Sequence, residues 1–350
     1  MAAAGCPMKK IVVVAPSWIG DMVMAQALFA SLKIENPGCI IDVVAPPTTY
    51  PLLARMAEVR RGWLLDIDHS QLAVIKRYRM GLELRHEGYD QAVVLPNSFK
   101  SALVPAFARI RKRVGWRGEC RFGVLNDLRK LSPEALPLMV ERFVSLAYAK
   151  GVELPRPVCL PHLMTDEHTT ADTLKKLQLK HCLPILGLCL GAEYGVAKQW
   201  PVANFALVAE HFLAKRWQVW VFGSSKDIRM AQLLRDHVSP QLRKDCFNLA
   251  GKTSLPEVVD LIALVAVVLT NDSGLMHIAA ALDRQLFVLY GSSSPQFTPP
   301  LSNQATIISL DLACSPCFKR KCSLGHTDCL NKLAASRVLE EMKSAGLRAA

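Results

Sequence analysis

"VVVAPSWIGDMVMAQALFASL", residues 12–32, changes its pattern halfway along. The β-branched run Val12–Val14 has no polar alternation and reads as a strand buried on both faces. Pro16 ends it, because proline offers no N–H to a sheet ladder. After a Ser17-Trp18-Ile19-Gly20 turn, a mostly apolar helix runs from Asp21 to about Glu35, and Asp21 is its first carboxylate. Strand, turn and helix in that order open a βαβ unit. The lone acid stands at a strand end, where open α/β sheets bind their ligands.

Read outward from there, the chain forms two similar halves. In the first, "CIIDVVAP", "GWLLDI", "YDQAVVLP" and "KRVGW" read as further strands with helical patterns between them. The stretch "VELPRPVCLPHLMTDEH", residues 152–168, is rich in proline and reads as a linker. The alternation then restarts with "PILGLCLG", a helix over Pro201 to about Lys215, "WQVWVFG", a helix from about Asp227, and the helix-to-strand run "LPEVVDLIALVAVVLTND". "SGLMHIAAAL" and "LFVLYG" continue it, and a helix near Ala334–Ala345 comes last. The expected fold is α/β, with two Rossmann-like doubly wound domains over residues 1–165 and 166–350 facing across a cleft. The last helix either closes its own domain or packs back on the first.

Hydrophobic content of 51% and charged content of 21% describe a folded protein. Apolar runs such as Leu261–Leu269 reach about half of the roughly 20 residues of a membrane helix, so no span is expected. Residues 1–7, "MAAAGCP", lack the basic and apolar regions of a signal peptide and read as a short tail, with Met8 as an alternative start. A cytoplasmic protein is expected. The formal net charge of +12 points to an anionic partner, either a nucleotide, a nucleic acid or an acidic membrane surface. Arg109, Arg111, Lys112, Arg113, Arg117 and Arg121 are crowded into one segment with Trp116 and Phe122 among them, which suggests a loop lining a cleft rather than a solvated helix face.

The second half carries the phosphate-binding features. In "LTNDSGLMHIAAA" a buried strand ends in Asn271-Asp272-Ser273-Gly274 and a helix starts at once. The free amides near Ser273, Gly274 and Leu275 lie at the positive end of a helix dipole, which suits a pyrophosphate. His277 lies on the first turn. The bland alternative is that Asp272 or Ser273 merely caps the helix. In "LGAEYGVAKQWP", Lys198 is the one cation of another strand-end loop and a candidate phosphate partner, or else a surface lysine beside a Trp200-Pro201 helix-entry staple. "VFGSSKD", residues 221–227, and "GKTSLPE", residues 251–257, end two more strands. No Gly-x-Gly-x-x-Gly follows a strand, and Cys246 stands where a P-loop needs its first glycine, so dinucleotide dehydrogenases and Walker ATPases are excluded.

Eleven cysteines without a signal sequence argue for reduced thiols. Most are scattered as small core residues, but Cys314, Cys317, Cys322 and Cys329 form a C-x2-C-x4-C-x6-C cluster containing His326. Its thiols match structural zinc in number but not in the usual spacing, so reduced thiols are expected, with zinc as the alternative.

Together "APSWIGDMVMAQAL", "GAEYGVAKQWP", "FGSSKD", "LTNDSGLMHIAAAL" and "CSPCFKRKCSLGHTDCL" resemble, in order and over most of the chain, the heptosyltransferases of glycosyltransferase family 9, which have the GT-B architecture. The chain departs from the family at Leu190 and Gln199, where proline and arginine are usual. The resemblance implies inverting transfer of L-glycero-D-manno-heptose from ADP-heptose to the first heptose on Kdo2–lipid A, at the cytoplasmic face of a Gram-negative inner membrane. It assigns the base role to Asp21, where the alternative is a helix cap. A hydroxyl is a poor nucleophile, and a carboxylate can take its proton during attack. Lys198 and the amides of Ser273–Leu275 replace a metal at the leaving diphosphate, so no metal or cofactor is expected. Donor contacts are expected from Glu193, Tyr194, Lys198, Gly223, Lys226, Asp227, Thr253, Asp272, Ser273, Gly274, Leu275 and His277. Acceptor contacts are expected from Trp18, Gly20, Arg60, Arg61, Lys100, Arg111, Arg113, Arg117 and Arg121, with the segment from Arg109 to Arg121 also meeting the anionic leaflet. The alternatives are a type I or other family 9 transfer to a different core acceptor, a non-catalytic sugar-nucleotide-binding module, and an RNA-binding protein. The last lacks recognisable RNA-binding motifs, and no nucleic acid partner is expected.

Overall fold

The computed structural model describes residues 8–68 and 71–347, so the expected tail over Met1–Pro7 lies outside the described residues. The chain divides into two compact units, one ending at His162 and the other beginning at Leu163. This lies three residues before the boundary expected from the sequence, between Thr165 and Asp166. Residues 152–166 carry no helix or strand, as their prolines require.

The first unit runs β1 (Lys10–Val14), α1 (Ile19–Glu35), β2 (Ile40–Ala45), β3 (Val59–Leu64), α2 (Val74–Glu87), β4 (Gln91–Val94), α3 (Leu103–Phe107), β5 (Lys112–Trp116), β6 (Asp127–Arg129) and α4 (Met139–Val144). Its parallel sheet has the order β3-β2-β1-β4-β5-β6. Ile11, Val12 and Val13 are fully buried, as a central strand covered on both faces requires. Each such side chain contributes about 1.5–3 kcal/mol on leaving water.

The second unit runs α5 (Glu167–Lys176), β7 (Ile185–Cys189), α6 (Val202–Ala214), β8 (Gln218–Phe222), α7 (Ile228–His237), β9 (Cys246–Asn248), α8 (Leu255–Leu264), β10 (Val267–Asn271), α9 (Gly274–Ala281), β11 (Gln285–Leu289), β12 (Ala305–Ile308), α10 (Asp328–Asn331) and α11 (Ala335–Ser344). Its parallel sheet has the order β12-β11-β10-β7-β8-β9. α11 buries Val338 and Met342 in the core of the second unit.

Both strand orders reverse direction beside their first strand. In the first unit the switch falls between β1 and β4, and in the second between β7 and β10. Connections leave in opposite directions there and open a crevice at the carboxyl ends. Asp21 follows β1, Lys198 follows β7 and Asp272 follows β10, so all three lie at switch points.

Candidate functional site

In the second unit, the Lys198 ammonium meets the Asp272 carboxylate at 2.5 Å, with side chains only 15% and 6% exposed. Asn271 locks the two loops that carry them: its side chain accepts from the Trp200 amide at 3.1 Å and donates to the Leu190 carbonyl at 2.6 Å. Trp200 is buried and stacks edge-on against Phe205, so the staple of the alternative reading is present at the entry to α6, while Lys198 is largely buried and not a surface lysine. α9 begins next to this pair. Its N-cap, Ser273, makes no side-chain cap bond, and the Asp272 carboxylate is engaged by Lys198, so neither residue acts as the simple cap that was the alternative. The first amides of α9 are left for an anion. His277 is buried one turn on, and burial pulls its pKa down to about 4; Asp272 opposes that shift and Lys198 adds to it. It is therefore a neutral imidazole at physiological pH.

The other donor candidates line the neighbouring strand ends. Asp227 accepts from the Ser224 amide and hydroxyl, both at 2.8 Å, and closes the turn after β8. A Cβ on Gly223 would come within 2.7 Å of the Asp227 Cβ, so the turn needs glycine. Lys226 pairs with Glu193, tying the β8 turn to the β7 loop. Thr253 follows β9, and its hydroxyl is buried with no hydrogen-bond partner. The Ser292 and Ser293 hydroxyls, just after β11, are likewise buried and unpartnered. No motif in the sequence marks these two serines.

The sequence marks the segment from Cys314 to Cys329 by its cysteines. That segment covers the β7 loop. The Phe318 amide donates to the Ser292 carbonyl at 2.6 Å, the Tyr194 hydroxyl donates to the Phe318 carbonyl at 2.7 Å, and the Ala197 amide donates to the Arg320 carbonyl at 3.2 Å. The Arg320 backbone passes so close that a Cβ on Gly195 would lie 2.4 Å from its carbonyl oxygen. The Arg320 guanidinium and Lys198 ammonium stand 5.4 and 4.9 Å from the centre of the Tyr194 ring. Arg320 sits in the basic "FKRK" run between the cysteines, the one sequence feature that marks it. Among the described residues, no three His, Cys, Asp or Glu side chains group so as to hold a metal ion, and the four clustered cysteines are free thiols.

In the first unit, Asp21 is the third residue of α1, beside Trp18 and Gly20 at the carboxyl end of β1. The Trp18 ring is 43% exposed and makes no cap bond. Lys100 follows β4 on the other side of the switch point, and Arg117 follows β5 with its guanidinium 5.5 Å from the Phe122 ring centre.

The remaining acceptor candidates are corrected by the structure. Arg60 and Arg61 lie where β3 begins, at the opposite end of the sheet from Asp21. Arg60 is held by Asp42 and Glu87; Arg61 bonds Glu87 at 3.2 Å and covers the Trp63 ring. Arg111 and Arg113 lie at that same amino end, because β5 runs through the middle of the basic segment and divides it between the two ends. Arg113 donates to the carbonyls of Val124 and Ile110, both at 2.6 Å. Arg121 is fully buried and donates to the carbonyls of Pro96 and Trp116 and to the Asn97 side chain. It organises the loops after β4 and β5 and presents nothing to solvent.

Two doubly wound parallel sheets with candidate groups at their switch points define an α/β protein of the class that binds ligands beyond its strand ends, and residues 77–328 match the family model "Glycosyltransferase family 9 (heptosyltransferase)". This chain belongs to that family, and its α/β fold is the GT-B type of its structural relatives. It is 46% identical to lipopolysaccharide heptosyltransferase 2 of Salmonella typhimurium, covering 96% of this chain and 98% of the relative. It is 49% identical to lipooligosaccharide heptosyltransferase 2 of Haemophilus influenzae, covering 86% and 88%. Among solved structures it resembles the E. coli ADP-heptose LPS heptosyltransferase II, with a TM-score of 0.88, 44% identity, and coverage of 97% and 99%.

Proposed function

We propose that this chain transfers L-glycero-D-manno-heptose from ADP-heptose to the first heptose of a lipopolysaccharide inner core, inverting the anomeric centre. The second unit holds the donor and the first the acceptor. The observation that carries the donor half is the uncapped start of α9 beside the buried Lys198–Asp272 pair at a switch point. Amide dipoles and an ammonium together stabilise the charge that develops on a departing diphosphate. The relatives agree in chemistry: the E. coli neighbour is described as an ADP-heptose LPS heptosyltransferase II.

Asp21 takes the proton of the attacking hydroxyl, a contribution of about 10²–10⁴-fold in rate. Trp18, Gly20, Lys100 and Arg117 share its end of the sheet and receive the acceptor and its anionic groups. The acceptor is lipid-anchored, so the enzyme works in peripheral contact with an anionic inner membrane from the cytoplasmic side. Incubating the protein with ADP-heptose and heptosyl-Kdo2–lipid A, then weighing the lipid by mass spectrometry, tests the reading. A mass increase of one heptose is expected. An unchanged lipid with intact ADP binding would reduce the protein to a binding module.

A further inference from the structure

We infer that the segment Leu72–Arg79, at the start of α2, is the membrane-docking element of this protein and that it seats on an anionic lipid surface. Its apolar side chains are turned to solvent: Leu72 is 50% exposed, Val74 44%, Ile75 70% and Tyr78 47%. Their placement follows from the helix period. Arg77, Gly81 and Leu84 take the inward face, with Gly81 close against Phe107 and the Arg77 guanidinium turned back to the Leu72 carbonyl at 2.8 Å. Val74, Ile75 and Tyr78 are left on the outward side. Tyr78 is steadied by an edge-on contact with Phe107 at 5.4 Å, so its ring is held in place while its outer face stays wet.

Single exposed apolar residues are ordinary, but four within seven residues mark an interaction site. What surrounds these points to lipid. Lys76 and Arg79 are exposed beside them; the Lys76 ammonium donates to the Asp66 carbonyl at 2.7 Å and lies 3.9 Å from the exposed Asp66 carboxylate, which leaves Arg79 as the cation with no acidic partner among the described residues. Aliphatic side chains and a tyrosine flanked by cations match an interface of acyl chains, headgroups and negative charge.

Position supports the same occupant. α2 connects β3 to β4 and begins at the carboxyl end of the sheet, the end that carries Asp21, Trp18 and Lys100. A lipid-anchored substrate reaches that end when the docking element faces the bilayer. Arg109, Arg111 and Arg113 lie at the other end, so they cannot provide this contact. The inference rests on the lipid-anchored acceptor of the proposed function for its purpose, but not for its test.

The test uses the full chain with neither donor nor acceptor, so failure to dock is separate from failure to transfer. Sedimentation is measured with vesicles of phosphatidylethanolamine and phosphatidylglycerol, and with phosphatidylcholine vesicles as the uncharged reference. Wild type is expected to pellet with the anionic vesicles and not with the reference. Lys76→Gln/Arg79→Gln should weaken that binding about 30-fold, taking the usual contribution of each basic residue near an anionic surface. Ile75→Ser/Tyr78→Ser should weaken it by at least about 10-fold. Arg109→Gln/Arg111→Gln removes the same charge from the other end and should bind as wild type does. These side chains are all exposed, and unchanged melting temperatures would show that the variants fold. Equal losses in both charge variants would mean only bulk charge acts, and would overturn the inference. So would wild-type binding by the Ile75/Tyr78 variant, or no binding by wild type.

Discussion

Asp21 occupies the first turn of α1, where the helix dipole favours a negative charge, and it follows the central strand at the switch point. A positioned base acts only while the hydroxyl is being deprotonated. Asp21→Asn is therefore expected to cut kcat by about 100-fold or more while leaving ADP affinity unchanged. Titration calorimetry with ADP and a turnover assay check this, and near-normal turnover would remove Asp21 from the mechanism. His277 gives a residue-scale prediction about stability. Its folded pKa, about 4, lies below the usual value of 6.5 because burial opposes the charged ring. Between those values the unfolded chain binds more protons than the folded one, so stability rises with pH through that window. The contribution is complete above about pH 6.5 and is lost as pH falls towards 4, a change of about 3 kcal/mol. His277→Gln should show a correspondingly flatter decline in urea-melt stability from pH 7 to pH 4.5. A parallel decline in both proteins would refute the assignment.

At the scale of elements, the loops after β7 and β10 are joined by the Lys198–Asp272 pair and the Asn271 clamp. Removing one member of a buried pair leaves the other charge unmatched, at a cost of about 3–5 kcal/mol. Lys198→Ala should lose that much stability as well as its use of the donor. Lys198→Met/Asp272→Leu should recover most of the stability without recovering turnover. Urea melts of both variants decide it, and a stable single mutant would show that the pair is not structural. The cysteine-rich segment makes a different prediction. The Cys322 thiol is drawn below its usual pKa by the Thr327 amide, with further amides from Leu324, His326 and Gly325, while burial pushes Cys189 and Cys246 up to about 12. The thiolate is the nucleophile, so brief iodoacetamide treatment at pH 7.5 should label Cys322 well before either buried thiol. Peptide mass spectrometry reads the order, and early labelling of Cys189 or Cys246 would contradict it. The sequence showed this segment as a cluster of cysteines, but not that it lies over Tyr194 and Gly195, because that contact spans more than a hundred residues of chain.

At the scale of the whole molecule, the proposed function has Lys198 and the amides of α9 carry the diphosphate, so turnover is expected to persist in excess EDTA. Loss of activity restored by a divalent cation would overturn that assignment. The molecule also shows where a one-dimensional reading ends. The α/β class, the two-half organisation and the strand ends carrying Asp21, Lys198 and Asp272 could all be read directly, because buried parallel strands are continuous apolar runs and the turns after them carry the polar residues. The short strands β6, β9 and β12 could not, since three or four residues of mixed polarity at a sheet edge have no distinctive period. Nor could the fate of the arginines. The run Lys112–Trp116 reads as a strand, but only the packed sheet shows that β5 parts the cations between Arg109 and Arg121 and that Arg121 is drawn into the interior. Local pattern determined which segments become strands and helices, because backbone geometry and side-chain period act over a few residues. Which charges meet solvent, which pair with a partner and which serve the fold was decided by tertiary packing, because burial and ion pairing depend on neighbours that are remote in the chain.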